Sequence, residues 1–215
     1  MKFSRRSFVS SVFALGTALT VSLPSFAQNA SYTMVTPAQP TEDPAKIEVL
    51  EFFSYGCPHC SDFNPLFAAW AAKLPADVVI KKVPVSFNSY FAMIAPLYYA
   101  LEATGDLARL GSNVFRTIHV EGNRLADPRS RAEWAQKNGV NVQKFEDAYK
   151  SFGVMSKVKR AEQMSIAYKI QGVPAVAVDG KYLVGGKDFN ETLAVADSLI
   201  AKVRSEKSGK GAAKK

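Results

Sequence analysis

The sequence predicts an α/β protein whose sheet frame is interrupted by an inserted helical domain. Three observations lead there. Apolar runs at 47–53 and 78–85 flank a stretch with helical periodicity. Strand-like runs then vanish from Ser89 to about Ser165, where Ala, Leu, Tyr, Glu, Arg and Lys dominate. They return between Ala175 and Val184 as two short apolar runs around Asp179-Gly180, a strong hairpin signal. The order is βαβ, helical insertion, ββα.

Gln28 to Asp43 is polar and Pro-rich, an arm or at most an edge strand. In Ile47 to Phe53 only Glu48 and Glu51 interrupt apolar residues, as in a strand covered on both faces. Pro58 suits a first helical turn, where its missing N–H costs nothing. Phe63, Leu66, Phe67 and Trp70 recur at helical spacing, Pro65 should kink or loosen one turn, and Leu74-Pro75 stops the helix. Val78 to Val85 reads as the next strand. The insertion divides into helices at 91–104, 107–120, 129–138, 143–152 and 155–168, with Asp127-Pro128 and Asn141 as helix-start signals. After the hairpin, an amphipathic helix from about Asn190 to Val203 turns Leu193, Ala196, Ile200 and Val203 to one side. The expected organisation is a signal peptide at 1–27, an arm at 28–45, a frame from 46–88 and 169–203, an insertion at 89–168 and a basic tail at 204–215.

The first residues carry export features. Met1 to Arg6 is basic, Phe8 to Leu23 is mostly apolar, and Ser25-Phe26-Ala27 resembles a cleavage site. Ser4-Arg5-Arg6-Ser7-Phe8 fits a twin-arginine signal as well as an ordinary basic start, so the route stays open. Either route leads to a compartment where disulfides persist. The net charge of +8 belongs to the chain ends, because residues 28–201 hold 18 basic and 18 acidic residues. A nucleic-acid surface would need a basic stripe on the folded body, so no such partner is expected. The segment from Ser205 is expected to be solvated and disordered.

The chain has two cysteines, in Cys57-Pro58-His59-Cys60, between a strand and a helix. A helix start carries partial positive charge and free N–H groups, which favour a thiolate at the first sulfur. As a mere staple, so short a disulfide loop would stabilise by only about 2 kcal/mol. Zinc would need further ligands, and His119 is the one other histidine. Haem attachment fails because Ser61 stands where C-x-x-C-H requires His. A redox-active dithiol is the reading that remains, with no cofactor beyond the disulfide itself. Cys57 is the candidate exposed nucleophile and Cys60 the resolving thiol. His59 either donates to the Cys57 sulfur, disfavours its proton as imidazolium, or is an idle loop residue. Glu51, in an apolar strand, is a relay carboxylate, a structural ion-pair member or an edge residue. Val173-Pro174 is, on sequence alone, as consistent with a trans as with a cis peptide.

Val49-Leu50-Glu51-Phe52-Phe53-Ser54, Cys57-Pro58-His59-Cys60 and Gly172-Val173-Pro174-Ala175 resemble the DsbA family of periplasmic thiol:disulfide oxidoreductases. The resemblance spans roughly 45–203 and implies a thioredoxin fold with a helical insertion. It implies a cis Val173-Pro174 that frees the Val173 backbone to bind a client, and a Glu51–Lys82 pair beneath Cys60. It further implies oxidation of reduced, unfolded secreted proteins by a monomer in a Gram-negative periplasm. A quinone-linked membrane protein of the DsbB type would reoxidise it. A reductase or isomerase, and a holdase using the same groove, are the alternatives. Reductases and isomerases usually add a dimerisation domain, for which the roughly 18 residues between the expected mature start at Gln28 and Lys46 leave no room.

Overall fold

A computed structural model describes residues 31–212; the expected signal peptide lies outside them. Strand β2 (Ile47–Phe53) is central, with all seven residues buried. It pairs in parallel with β3 (Val78–Pro84) and antiparallel with β4 (Ala175–Val178). Strand β5 (Tyr182–Val184) follows β4, and β1 (Tyr32–Met34) closes the edge, so the expected arm does carry an edge strand. The sheet order is β1-β5-β4-β2-β3. Asp179 and Gly180 both have positive φ, as a two-residue primed turn between β4 and β5 requires.

Helix α1 (Pro58–Ala71) crosses from β2 to β3, and α7 (Phe189–Ala212) packs beside it. The odd residues of β2 face these helices: Ile47 and Val49 cluster with Phe63, Phe67, Leu193, Ala196, Ile200 and Val203. Leu50 and Phe52 point to the opposite face, against Val83, Ala161, Tyr168 and Ile170. Helix α1 continues through Pro65, which forfeits only one backbone bond. Leu66, expected on the buried face, is 40% exposed, because Phe63 and Phe67 already fill the narrow contact with α7.

The insertion comprises α2 (Ser89–Thr104), α3 (Leu107–His119), α4 (Pro128–Lys137), α5 (Val142–Lys150) and α6 (Phe152–Ala167). Asp127 and Asn141 act as the expected caps, accepting from the N–H groups of Ser130 and Lys144. Asn88 and Ser151 cap α2 and α6 in the same way. The insertion core, built on Leu97, Leu101, Val114, Phe115, Trp134 and Phe145, includes Phe53, Tyr55, Cys57 and Cys60. The inserted helices therefore form one wall around the CxxC motif.

The expected end of the last helix at Val203 is corrected. Helix α7 runs on to Ala212, because the residues after Val203 meet fixed partners. Arg204 clamps Asp77 through two hydrogen bonds of 2.7 and 3.0 Å. Glu206 accepts from the Tyr182 hydroxyl at 2.8 Å. Lys207 pairs with the buried Asp179 at 2.7 Å and donates to the Lys46 carbonyl at 2.6 Å. A disordered tail would leave Asp179 with Lys181 as its one ion-pair partner among the described residues. Ending the chain after Val203 is expected to cost about 1–3 kcal/mol. Urea unfolding of the two forms measures this, and coincident midpoints would restore the picture of a solvated tail.

Candidate active site

The strand register assembles the site. Phe52 lies opposite Ala175, so the chain entering β4 passes beside the chain leaving β2. That places Val173-Pro174, a cis peptide, next to the CxxC motif. The Val173 carbonyl accepts from Cys57 Sγ at 3.4 Å, across 116 residues of sequence. In the parallel ladder Glu51 lies opposite Lys82.

Cys57 is the N-cap of α1, with extended backbone, and Pro58 occupies the first turn, which carries no acidic side chain. Both cysteines are free. The Cys57 thiol is lowered to about 6. The hydrogen bond from the Cys60 side chain is the main cause, followed by the backbone N–H groups of Cys60 and His59 and then the His59 charge, with burial opposing. Cys60 is shifted up, first by that same hydrogen bond and then by burial and by the Cys57 and Glu51 charges. The pair is thus one acidic and one strongly basic thiol.

Cys57 is not the exposed residue that its role suggests. It is 7% accessible, because Val173 and the insertion core pack against it. Cys60 is fully buried. Pro58 and His59 are the exposed residues of the motif. Among the described residues the His59 ring makes no hydrogen bond to the Cys57 sulfur; its backbone N–H and its charge act there instead.

Glu51 is fully buried, 2.9 Å from Lys82 Nζ. The contact is close but poorly directed, since neither carboxylate oxygen accepts a well-formed hydrogen bond. Lys82 directs its bond to Asn64 Oδ1 at 2.9 Å, and the Asn64 amide donates to Ser112 Oγ of α3 at 3.1 Å. Burial pushes the Glu51 carboxyl up against the pull of Lys82. It therefore holds a proton at higher pH than an ordinary glutamate.

Sequence reasoning brought together Glu51, Cys57, Pro58, His59, Cys60, Lys82, Val173 and Pro174. It missed Asn64, Ser112 and His119. His119 Nε2 lies 2.8 Å from the Tyr55 carbonyl. Its one sequence signal was its place at the end of the insertion helix whose buried face reads Leu110, Val114, Phe115 and Ile118. Among the described residues no group of three or more His, Cys, Asp or Glu is placed to hold a metal.

A split-pKa dithiol at a helix start, facing a cis proline before the hairpin, defines a thioredoxin-fold protein disulfide oxidoreductase. Residues 80–196 match the family described as DSBA-like thioredoxin domain. The thiol:disulfide interchange protein DsbA of Bordetella parapertussis is 42% identical over 80% of this chain and 84% of its own. That of Azotobacter vinelandii is 40% identical over 91% and 93%. The crystal structure of Pseudomonas aeruginosa DsbA superposes with a TM-score of 0.79 at 35% identity, covering 83% of this chain and 94% of that one. The chain belongs to the DsbA family, with the thioredoxin fold and helical insertion of that family.

The lowered thiol stabilises the reduced fold at pH above the ordinary thiol value of 9.0, and this contribution is lost as pH falls through about 6. Alkylation of the reduced protein should therefore rise through a midpoint near pH 6, modify Cys57 and spare Cys60. Mass spectrometry of the alkylated peptides across pH 4–9, a window set around that value, checks both halves. A midpoint in the ordinary thiol range would contradict the assignment.

Proposed function

We propose that the protein donates its Cys57–Cys60 disulfide to newly exported, reduced polypeptides in a Gram-negative periplasm. The low Cys57 thiol carries this reading. Whatever favours the thiolate favours the reduced dithiol, and so makes the disulfide a stronger oxidant. Lowering the thiol pKa by one is worth about 1.4 kcal/mol, or about 30 mV in this two-electron couple. No described helix is long and apolar enough to cross a membrane.

A client thiolate attacks Cys57 Sγ, the Cys57–Cys60 bond breaks, and a mixed disulfide forms. Cys60 leaves as a thiolate and takes up a proton. A second client thiolate then attacks the client sulfur of the mixed disulfide, and Cys57 departs as a thiolate. The client loses two electrons and gains a disulfide, while the protein ends as the dithiol. The exposed loop at Gln171 and Gly172, leading to Val173, offers backbone groups to an extended client. Glu51, with its raised carboxyl, supplies the proton Cys60 needs on leaving and recovers it on reoxidation, and Lys82 stabilises the charged interval. Pro58 and His59 shape the exposed surface beside Cys57. A DsbB-type quinone reductase in the membrane completes the cycle, and the protein works as a monomer.

Equilibration with glutathione is the deciding measurement. The protein should stay mostly reduced under conditions that leave thioredoxin, and protein disulfide isomerase, largely oxidised, and its disulfide should be transferred stoichiometrically to a reduced unfolded substrate. A thioredoxin-like equilibrium would assign it to reduction instead. Client retention by Cys57→Ser without any turnover dependence on Cys57 would favour a holdase.

The reduced form should melt at or above the oxidised form at pH 7, inverting the usual effect of a disulfide. Scanning calorimetry of both forms checks it.

Glu51→Gln should keep the fold and slow one half of the exchange cycle, read by stopped-flow oxidation and reduction between about pH 5 and 9, which brackets thiol titration. Because the folded Glu51 carboxyl is raised, its ionisation weakens the fold as pH rises through its folded value, and Gln removes that penalty. Lys82→Met should destabilise by up to about 3–5 kcal/mol, since it strands a buried carboxylate, and by less at pH 5 than at pH 8. Unchanged exchange rates for Glu51→Gln at every pH would make Glu51 purely structural.

A further inference from the structure

We infer that His119, at the end of α3, is a positioning residue for Cys57, and that it acts by clamping the central peptide of the turn that delivers the nucleophile. The Cys57 N–H donates to the Ser54 carbonyl at 3.1 Å, so Ser54–Cys57 is a β-turn with Tyr55 and Gly56 in its middle. Both ends of the Tyr55–Gly56 peptide are held. Its N–H donates to Ser54 Oγ at 3.2 Å. Its carbonyl lies 2.8 Å from His119 Nε2. A carbonyl only accepts, so Nε2 carries the proton in this contact, and the bond survives whether the ring is neutral or charged.

A turn with glycine in its third position has two arrangements of similar intrinsic cost, related by a flip of that central peptide. In one of them the glycine takes positive φ. Gly56 is not among the glycines with positive φ, so the turn is in the other arrangement. Glycine is needed here for space, since a Cβ would meet the Tyr90 ring at 2.7 Å and the Phe91 ring at 3.0 Å. The freedom to flip is thus a by-product of packing, and the Ser54 and His119 side chains suppress it. A flip would turn the Tyr55 carbonyl away from Nε2 and break both bonds. It would also move the N-cap residue whose sulfur depends on the backbone N–H groups of His59 and Cys60.

The ring is placed for this task. His119 is half-buried, stacked on Phe115 at 6.3 Å between centroids, and Phe115 packs against Tyr55 at 4.9 Å. Ser112, two turns earlier on α3, holds Asn64 of α1 at 3.1 Å. One helix of the insertion therefore grips both the turn before Cys57 and the helix after it.

The inference rests on Cys57 being the low-pKa thiol, and the experiment separates the two. Thiolate absorbance of the reduced full chain is titrated for wild type, Cys57→Ser, His119→Leu and His119→Gln, with a glutathione equilibrium constant for each disulfide-competent form. Gln carries an amide N–H near the position of Nε2, whereas Leu fills space without a donor. His119→Leu should move the Cys57 midpoint up by at least half a pH unit and shift the glutathione equilibrium at least three-fold towards the disulfide. His119→Gln should restore both. Wild-type values for folded His119→Leu, or a Gln variant as impaired as Leu, would overturn the role. Should His119→Leu not fold, Ser54→Ala, which frees the other end of the peptide, must show the same upward shift, and an unshifted midpoint there overturns the clamp. A low-pH transition that persists in Cys57→Ser would instead overturn the assignment of the nucleophile.

Discussion

The register of β2 between β3 and β4 is the constraint on which the rest of the site depends. A side chain in a strand has only lateral neighbours and two faces, so fixing the pairing fixes the neighbourhood. Glu51 opposite Lys82 gives the buried carboxylate its cation. Phe52 opposite Ala175 brings the Val173 carbonyl to the Cys57 sulfur. A one-residue slip of β2 would turn every side chain over, sending Glu51 to the face that Leu50 and Phe52 now occupy, and withdraw both contacts at once. That slip is costly because Glu48 and Glu51, both buried, would lose Lys81 and Lys82.

Upon that frame the two thiols diverge because they occupy unlike positions on a single helical turn. Cys57 sits at the N-cap, where backbone N–H groups have no intrahelical partner. Cys60 lies one turn inside, fully buried, and donates to its neighbour. The hydrogen bond between them sharpens the difference by stabilising one thiolate and retaining the other proton. Glu51 adds repulsion from below, which keeps Cys60 protonated until a proton can move.

Local chemistry was legible in the sequence and distant geometry was not. The CxxC spacing, the Asp127 and Asn141 caps and the Asp179-Gly180 turn depend on residues within one turn of each other, and the structure carries them as read. The likeness of short motifs to a known family supplied the Glu51–Lys82 pair and the cis Val173-Pro174. Burial of Cys57 went unseen because its cover comes from 116 residues away. His119 was unreadable for the same reason, as its contact with Tyr55 spans 64 residues. Composition misled at the C-terminus. A run rich in Lys, Gly and Ser reads as solvated, yet Arg204, Glu206 and Lys207 have fixed partners on Asp77, Tyr182 and Asp179.

The same separation in sequence has a temporal consequence. The Val173-Pro174 segment that covers the nucleophile, and the strand β4 that follows it, are made only after the whole insertion, so β2 must wait for its second neighbour while α2 to α6 are completed. Contacts within the insertion join nearer segments than closure of the sheet does, and closing the longer loop costs more chain entropy. The growing chain therefore passes through an interval in which Cys57 and Cys60 exist without Val173 beside them. During that interval the Cys57 sulfur lacks the Val173 cover that it has in the finished fold.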